Sequence, residues 1–244
     1  AGDRLPALAG VMFRLRATVV ILALSGLAGC ASMLSWESNT YVVQPGDTLY
    51  KIAWRYSLDY RDLADWNGLG SGNIIHAGQS IRLTPPEGWD RRARTSGQAS
   101  AGSAGSSGSA ARPSKRVTSP PPSAWRWPTE GSLVGRFGNS ALGGNGIDIQ
   151  GRSGQPVLAA AGGEVVYSGS GLIGYGKLII VKHNQTYLSA YGFNREIRVA
   201  EGDRVSAGQT IALMGEGPGR KPALHFEIRR NGKPVDPLRY LPGR

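Results

Sequence analysis

Two side chains in the C-terminal third of this 244-residue chain could hold a metal or move a proton. They are Asp148, in Gly144-Asn145-Gly146-Ile147-Asp148-Ile149, and His225, in Pro222-Ala223-Leu224-His225-Phe226-Glu227-Ile228-Arg229. Carboxylate and imidazole both ligate zinc, but a catalytic zinc usually takes three protein ligands and keeps one position open for water. Neighbouring Asn145 offers only an amide, a poor donor for that ion. Two ligands would hold it weakly and leave its geometry undefined. The same pair also fits a plainer role, hydrogen bonding to each other's surroundings inside a core. His183 sits in a Lys-His-Asn-Gln turn and reads as structural. The only cysteine, Cys30, belongs to the N-terminal block, and no serine stands in a nucleophile signature.

The elements that must position Asp148 and His225 are short apolar runs between glycine-rich turns. Gly163-Glu164-Val165-Val166-Tyr167, residues 177–182, residues 186–191, residues 208–212 and residues 224–228 read as strands. No helical periodicity of useful length appears, so the region from about residue 124 to residue 244 is expected to be all-β.

With those residues in view, the region resembles the LytM, or M23, cell-wall endopeptidases, whose metal motifs are His-x-x-x-Asp and His-x-His. In register, the first motif gives Gly144 and Asp148 and the second gives Ala223 and His225. A further family histidine follows a tyrosine by two residues, and Tyr191-Gly192-Phe193 puts Phe193 there. The resemblance implies a duplicated hybrid motif-like β fold. It also implies a vestigial active site of Gly144, Asp148, Tyr191, Phe193, Ala223 and His225, with no metal and no cofactor. Phenylalanine and alanine cannot transfer protons or donate hydrogen bonds to a charged intermediate. The cleft should therefore bind a protein segment rather than cleave one. Histidines restored at positions 144, 193 and 223 are expected to regain some zinc affinity.

Residues 40–84 form a second module. Tyr41-Val42-Val43 reads as a strand, Pro45-Gly46-Asp47 as a turn and Thr48 as a helix start; Leu63, Trp66 and Asn67 mark a second short helix, and Ile81-Arg82-Leu83 a closing strand. This strand-helix-helix-strand α+β pattern, with Tyr-x-Val-x-x-Gly-Asp-Thr-Leu-x-x-Ile-Ala and Ile-x-x-Gly-Gln-x-Ile, is similar to the LysM family. The resemblance implies peptidoglycan binding between one loop of Gly46, Asp47, Thr48, Leu49 and Tyr50 and another of Asn73, Ile74, Ile75 and His76. Gly46 and Asp47 also fit a bland role, shaping the turn and capping the helix.

Between the modules, residues 85–123 carry few bulky apolar side chains and are expected to be a disordered Gly/Ser/Ala/Pro linker that lets each module reach its own target. Residues 12–30 read as a lipoprotein signal: Met12-Phe13-Arg14-Leu15-Arg16, an apolar run, then Leu27-Ala28-Gly29-Cys30. The apolar run falls short of the roughly 20 residues of a bilayer span. Residues 1–11 precede a natural-looking start at Met12. Cys30 in this setting resembles a lipobox cysteine, which implies an acyl anchor, with Ala31 and Ser32 pointing to the outer membrane. The net charge of +11 avoids the first module, which is neutral over residues 41–83. An exported chain with that distribution is expected to meet anionic wall polymer or lipid rather than nucleic acid.

Lipobox, LysM, linker and degenerate LytM domain together resemble the NlpD-type lipoproteins. The resemblance implies a non-enzymatic activator of periplasmic N-acetylmuramyl-L-alanine amidases in septal peptidoglycan splitting. A residual zinc endopeptidase and a plain wall-binding tether are the alternatives.

Overall fold

The computed structural model describes residues 39–70, 73–89 and 120–243. The signal segment, Cys30 and most of the expected linker lie outside the described residues.

In the first module β1 (Thr40–Val42) pairs antiparallel with β2 (Ser80–Arg82), and α1 (Leu49–Arg55) and α2 (Tyr60–Trp66) lie between them in the chain. Each helix has seven residues, too few to persist alone in water. Capping and packing make up the difference. Thr48 Oγ1 accepts the Lys51 N–H at 3.1 Å, and Asp59 Oδ1 accepts the Arg61 N–H at 3.0 Å, each satisfying an otherwise orphaned donor. Val43, Leu49, Ile52, Ala53, Tyr60, Leu63, Ala64 and Ile81 form the core. The expected strand-helix-helix-strand order is what folds.

The second module is a single antiparallel sheet system. In chain order it contains β3 (Ser132–Gly135), β4 (Ile147–Gln150), β5 (Pro156–Leu158), β6 (Gly163–Gly169) and β7 (Lys177–Lys182). Then come β8 (Tyr187–Ile197), β9 (Arg204–Val205), β10 (Thr210–Met214), β11 (Ala223–Arg230) and β12 (Lys233–Val235). The main path runs β3-β4-β11-β8-β7-β6-β9; β10 joins β5 to β8, and β12 extends β11. Only two single-turn 3-10 helices interrupt the strands among the described residues, so the all-β expectation holds.

Strand β11 lies between β4 and β8 and is buried over seven of its eight residues. Alternation along a strand sends Leu224, Phe226 and Ile228 into the main core, beside Ile147, Ile149, Tyr191 and Met214. It sends Ala223, His225, Glu227 and Arg229 to the opposite face. A sheet face with that many polar groups normally meets water; here it is covered, and the cover includes Trp54 of α1. The two modules' described residues belong to one compact unit.

Candidate functional site

Asp148 and His225 stand directly opposite each other on β4 and β11. Their side chains bond: His225 Nδ1 lies 2.7 Å from Asp148 Oδ1. The other Asp148 oxygen accepts the Ala141 N–H at 2.6 Å, which ties the loop between β3 and β4 over the pair. Gly135 is opposite Asp148 on β3, and a Cβ there would come 2.3 Å from Asp148 Oδ2, so the carboxylate occupies space that only glycine leaves free.

The second imidazole nitrogen is also taken. His225 Nε2 lies 3.1 Å from Glu227 Oε1, which further accepts the Tyr175 hydroxyl at 2.6 Å. Glu227 Oε2 accepts from Arg229 Nε at 3.0 Å, and Arg229 Nη1 donates to the Trp54 carbonyl at 2.8 Å. His225 and Glu227 are fully buried, Arg229 and Asp148 nearly so.

Ionised carboxylates only accept hydrogen bonds. With one on each ring nitrogen, the surroundings of His225 favour the protonated ring, which can donate to both sides. Burial opposes that charge, but the bonds to Asp148 and Glu227 outweigh it and raise the His225 pKa above the ordinary imidazole value. Burial also works against ionised Glu227; Arg229 first, then His225 and Tyr175, hold its pKa below the usual glutamate value. Burial and the Glu227 charge push the Tyr175 phenol upward. Acidic and basic groups thus alternate through Asp148, His225, Glu227 and Arg229, an arrangement in which buried ionisable groups find partners.

Phe193 closes one side, its ring centroid 5.9 Å from that of His225. It sits at φ +64, a rare conformation for a bulky residue. That backbone turn breaks the strand alternation. Phe193 joins the His225 face, while Tyr191, two residues earlier, packs 5.4 Å from Phe226 in the main core.

Comparison with known proteins places both modules. The family model for peptidase family M23 matches residues 143–237 and that for the LysM domain matches residues 41–84. A "Lipoprotein NlpD/LppB homolog" of Pseudomonas aeruginosa is 45% identical over 85% of this chain and 78% of its own length. The chain belongs to the NlpD lipoprotein family. The Escherichia coli relative, named "Murein hydrolase activator NlpD", is 38% identical over 86% of this chain and 69% of its own. Among solved structures, a putative M23 peptidase from Pseudomonas aeruginosa is 28% identical over 51% of this chain and 54% of its own, with TM-score 0.44.

Against this NlpD-family background, the sequence-predicted residues separate. Asp148, His225 and Phe193 come together, and Ala223 lies on the same face of β11. Tyr191 does not belong to that face: its hydroxyl accepts the Ala160 N–H at 2.8 Å inside the core. Gly144 is buried at φ +77, and a Cβ there would lie 2.7 Å from the Gly138 carbonyl carbon. The loop is closed around the missing side chain, so a histidine restored at 144 would have to displace the Gly138 backbone. His183 is structural, as its position in a turn suggests. Its nitrogens bond Gly162 O at 2.8 Å and Ser189 Oγ at 2.7 Å, and burial holds its pKa down to about 4.

In the LysM module, three residues expected to line the glycan site also take part in the fold. Leu49 is 1% exposed and packs in the core, because it is the first inward position of α1. The Asp47 carboxylate is bonded to Lys51 at 2.7 Å and receives Tyr41 and the Gln44 N–H. Thr48 is the helix cap. Gly46, Ile74 and His76 are exposed, and Tyr50, Asn73 and Ile75 half-buried. Ile74 is 69% exposed.

Glu227, Arg229, Tyr175 and Trp54 are absent from the sequence-based site. Glu227 and Arg229 were within reach of a period-two reading from His225. Tyr175 and Trp54 carried no comparable signal.

Proposed function

We propose that this chain is a non-catalytic activator of murein hydrolases, acting on periplasmic N-acetylmuramyl-L-alanine amidases during septal peptidoglycan splitting. The lipid on Cys30 holds it to the periplasmic face of the outer membrane, and LysM holds it to the wall.

The observation that carries this reading is the double engagement of His225. A zinc-ligating histidine must be neutral and present a free nitrogen lone pair. Both His225 nitrogens instead face carboxylates, Asp148 at 2.7 Å and Glu227 at 3.1 Å, and each carboxylate is an acceptor that favours a proton on the ring. The third donor is missing at Gly144, and the backbone there excludes one. The residues present do not fit a catalytic zinc.

What remains is a face near which three large apolar side chains stand exposed, Val134 at 57%, Phe137 at 39% and Ile173 at 97%. Leu142, in the loop that caps Asp148, would lie 3.3 Å from a Cβ at Gly174, so the loops bearing Phe137 and Ile173 meet above the site. Apolar side chains standing out beside a buried site mark an interaction surface, here for the amidase. Activation then requires tighter binding to the open amidase than to the closed one. The test is an amidase–peptidoglycan release assay with the purified chain. Stimulation lost in Ile173→Asp at unchanged stability supports the reading; stimulation by neither wild type nor variant defeats it.

A further inference from the structure

The LysM module is seated on the β domain by contacts that end in the His225 network. Trp54 lies on α1 away from the LysM core; its ring packs with Val166, Leu172, Leu178, Ile180, Leu188 and Ala190 of the β domain and is 3% exposed. The Arg229 guanidinium stacks 3.5 Å from the centroid of that ring while Nη1 donates to the Trp54 carbonyl. Flat stacking and a directed bond from one guanidinium suit arginine and not lysine.

Three further features make the seat specific. The β11–β12 turn, Asn231 at φ +52 and Gly232 at φ +77, fits a two-residue hairpin of the Asn-Gly kind. A Cβ on Gly232 would lie 2.2 Å from the Leu58 carbonyl oxygen and 2.6 Å from the Asp59 nitrogen, so LysM approaches the bare backbone. Arg61 Nη2 donates to Asn231 Oδ1 at 2.9 Å, the Tyr60 hydroxyl to Gln185 Oε1 at 2.8 Å, and Lys182 Nζ to the Tyr50 hydroxyl at 3.1 Å.

We propose that LysM is a working part of the partner-binding face: Trp54 holds Arg229, which orients Glu227, and Glu227 fixes both His225 and the Tyr175 loop. Trp54 is thus a positioning residue for the rim, acting through Arg229 and through its own packing against Leu172 in the same loop. The Tyr175 hydroxyl bonds Glu227, and Tyr175 belongs to the loop that also carries Ile173. Undocking LysM therefore loosens the apolar rim. The functional consequence rests on the amidase-activator reading; the mechanical one does not.

The experiment compares the full mature chain with Trp54→Ala and Arg229→Lys, by amide hydrogen exchange, wall pelleting and amidase stimulation. In both variants, exchange in residues 171–176 and β11 is expected to rise at least ten-fold. Exchange around Leu49, Ile52 and Leu63 and pelleting with sacculi should stay at wild-type level, and stimulation should fall about ten-fold. Arg229→Lys leaves LysM itself unaltered, so it decides the matter if Trp54→Ala unfolds that module. Unchanged exchange in 171–176 and β11 in Arg229→Lys overturns the proposal. So does raised exchange with full stimulation. Should wild type stimulate no amidase, the activator reading fails, while the exchange data still decide whether LysM supports this face.

Discussion

Glu227→Gln is the most informative perturbation of the buried network. Glutamine fills the same space and can still accept from His225, but its amide N–H groups then meet the donor Nε of Arg229. Arg229 and His225 keep their charges with only Asp148 to offset them. Removing one member of a buried ionic set costs about 3–5 kcal/mol, and nothing near the fully buried Glu227 lets water in to reduce that. The pH dependence supplies a signature. The Glu227 pKa is lowered on folding, so its stabilisation is present above the ordinary glutamate pKa and fades as pH falls through the folded value. The His225 pKa is raised, so its stabilisation is full below the ordinary imidazole pKa and is lost as pH rises through the folded value. Wild-type stability should thus plateau between about pH 4.5 and 6.5 and decline on both sides. In Glu227→Gln the acid decline assigned to Glu227 disappears and the alkaline decline begins at lower pH, since one cause of the His225 shift is gone. Urea unfolding at half-unit steps from pH 3.5 to 9 measures both. A loss under about 1 kcal/mol with both limbs unmoved would refute the reasoning.

Other outcomes follow from the same structure. The triple change Gly144→His, Phe193→His and Ala223→His is expected to bind no stoichiometric zinc by elemental analysis and to lower the melting temperature, because the first substitution drives a Cβ into Gly138. One tightly bound zinc would show that the loop can reopen. Leu49→Ala should cost about 2–5 kcal/mol as a core truncation, whereas Ile74→Ser should weaken binding to isolated sacculi with the melting temperature unchanged. Equal effects of the two on stability would contradict the division made here between LysM core and glycan surface. His183, held near pKa 4, should stay neutral from pH 5 to 8 in an NMR titration.

Much of the architecture was legible in the sequence, because turn residues and apolar runs mark strands and because the LysM phrase spans nearly its whole module. Asp148 and His225 were legible too, yet their relation was not, since which residues face each other depends on strand register. Tyr191 and Phe193 look equivalent in a strand of period two; the positive φ at Phe193 separates them. Leu49 and Asp47 sit in the most recognisable motif of their module, and that motif combines exposed positions with core and bracing residues. Trp54 gave no signal because what it packs against is more than a hundred residues away in sequence, across a segment whose composition suggested independent modules rather than docked ones.

The central claim is that this chain controls a hydrolase without being one. It is tested most directly by fragment release from labelled peptidoglycan, measured with chelator-treated protein alone, amidase alone and the two together. The account predicts no release by the protein alone and enhanced release by the pair. Zinc-dependent release by the protein alone would contradict it.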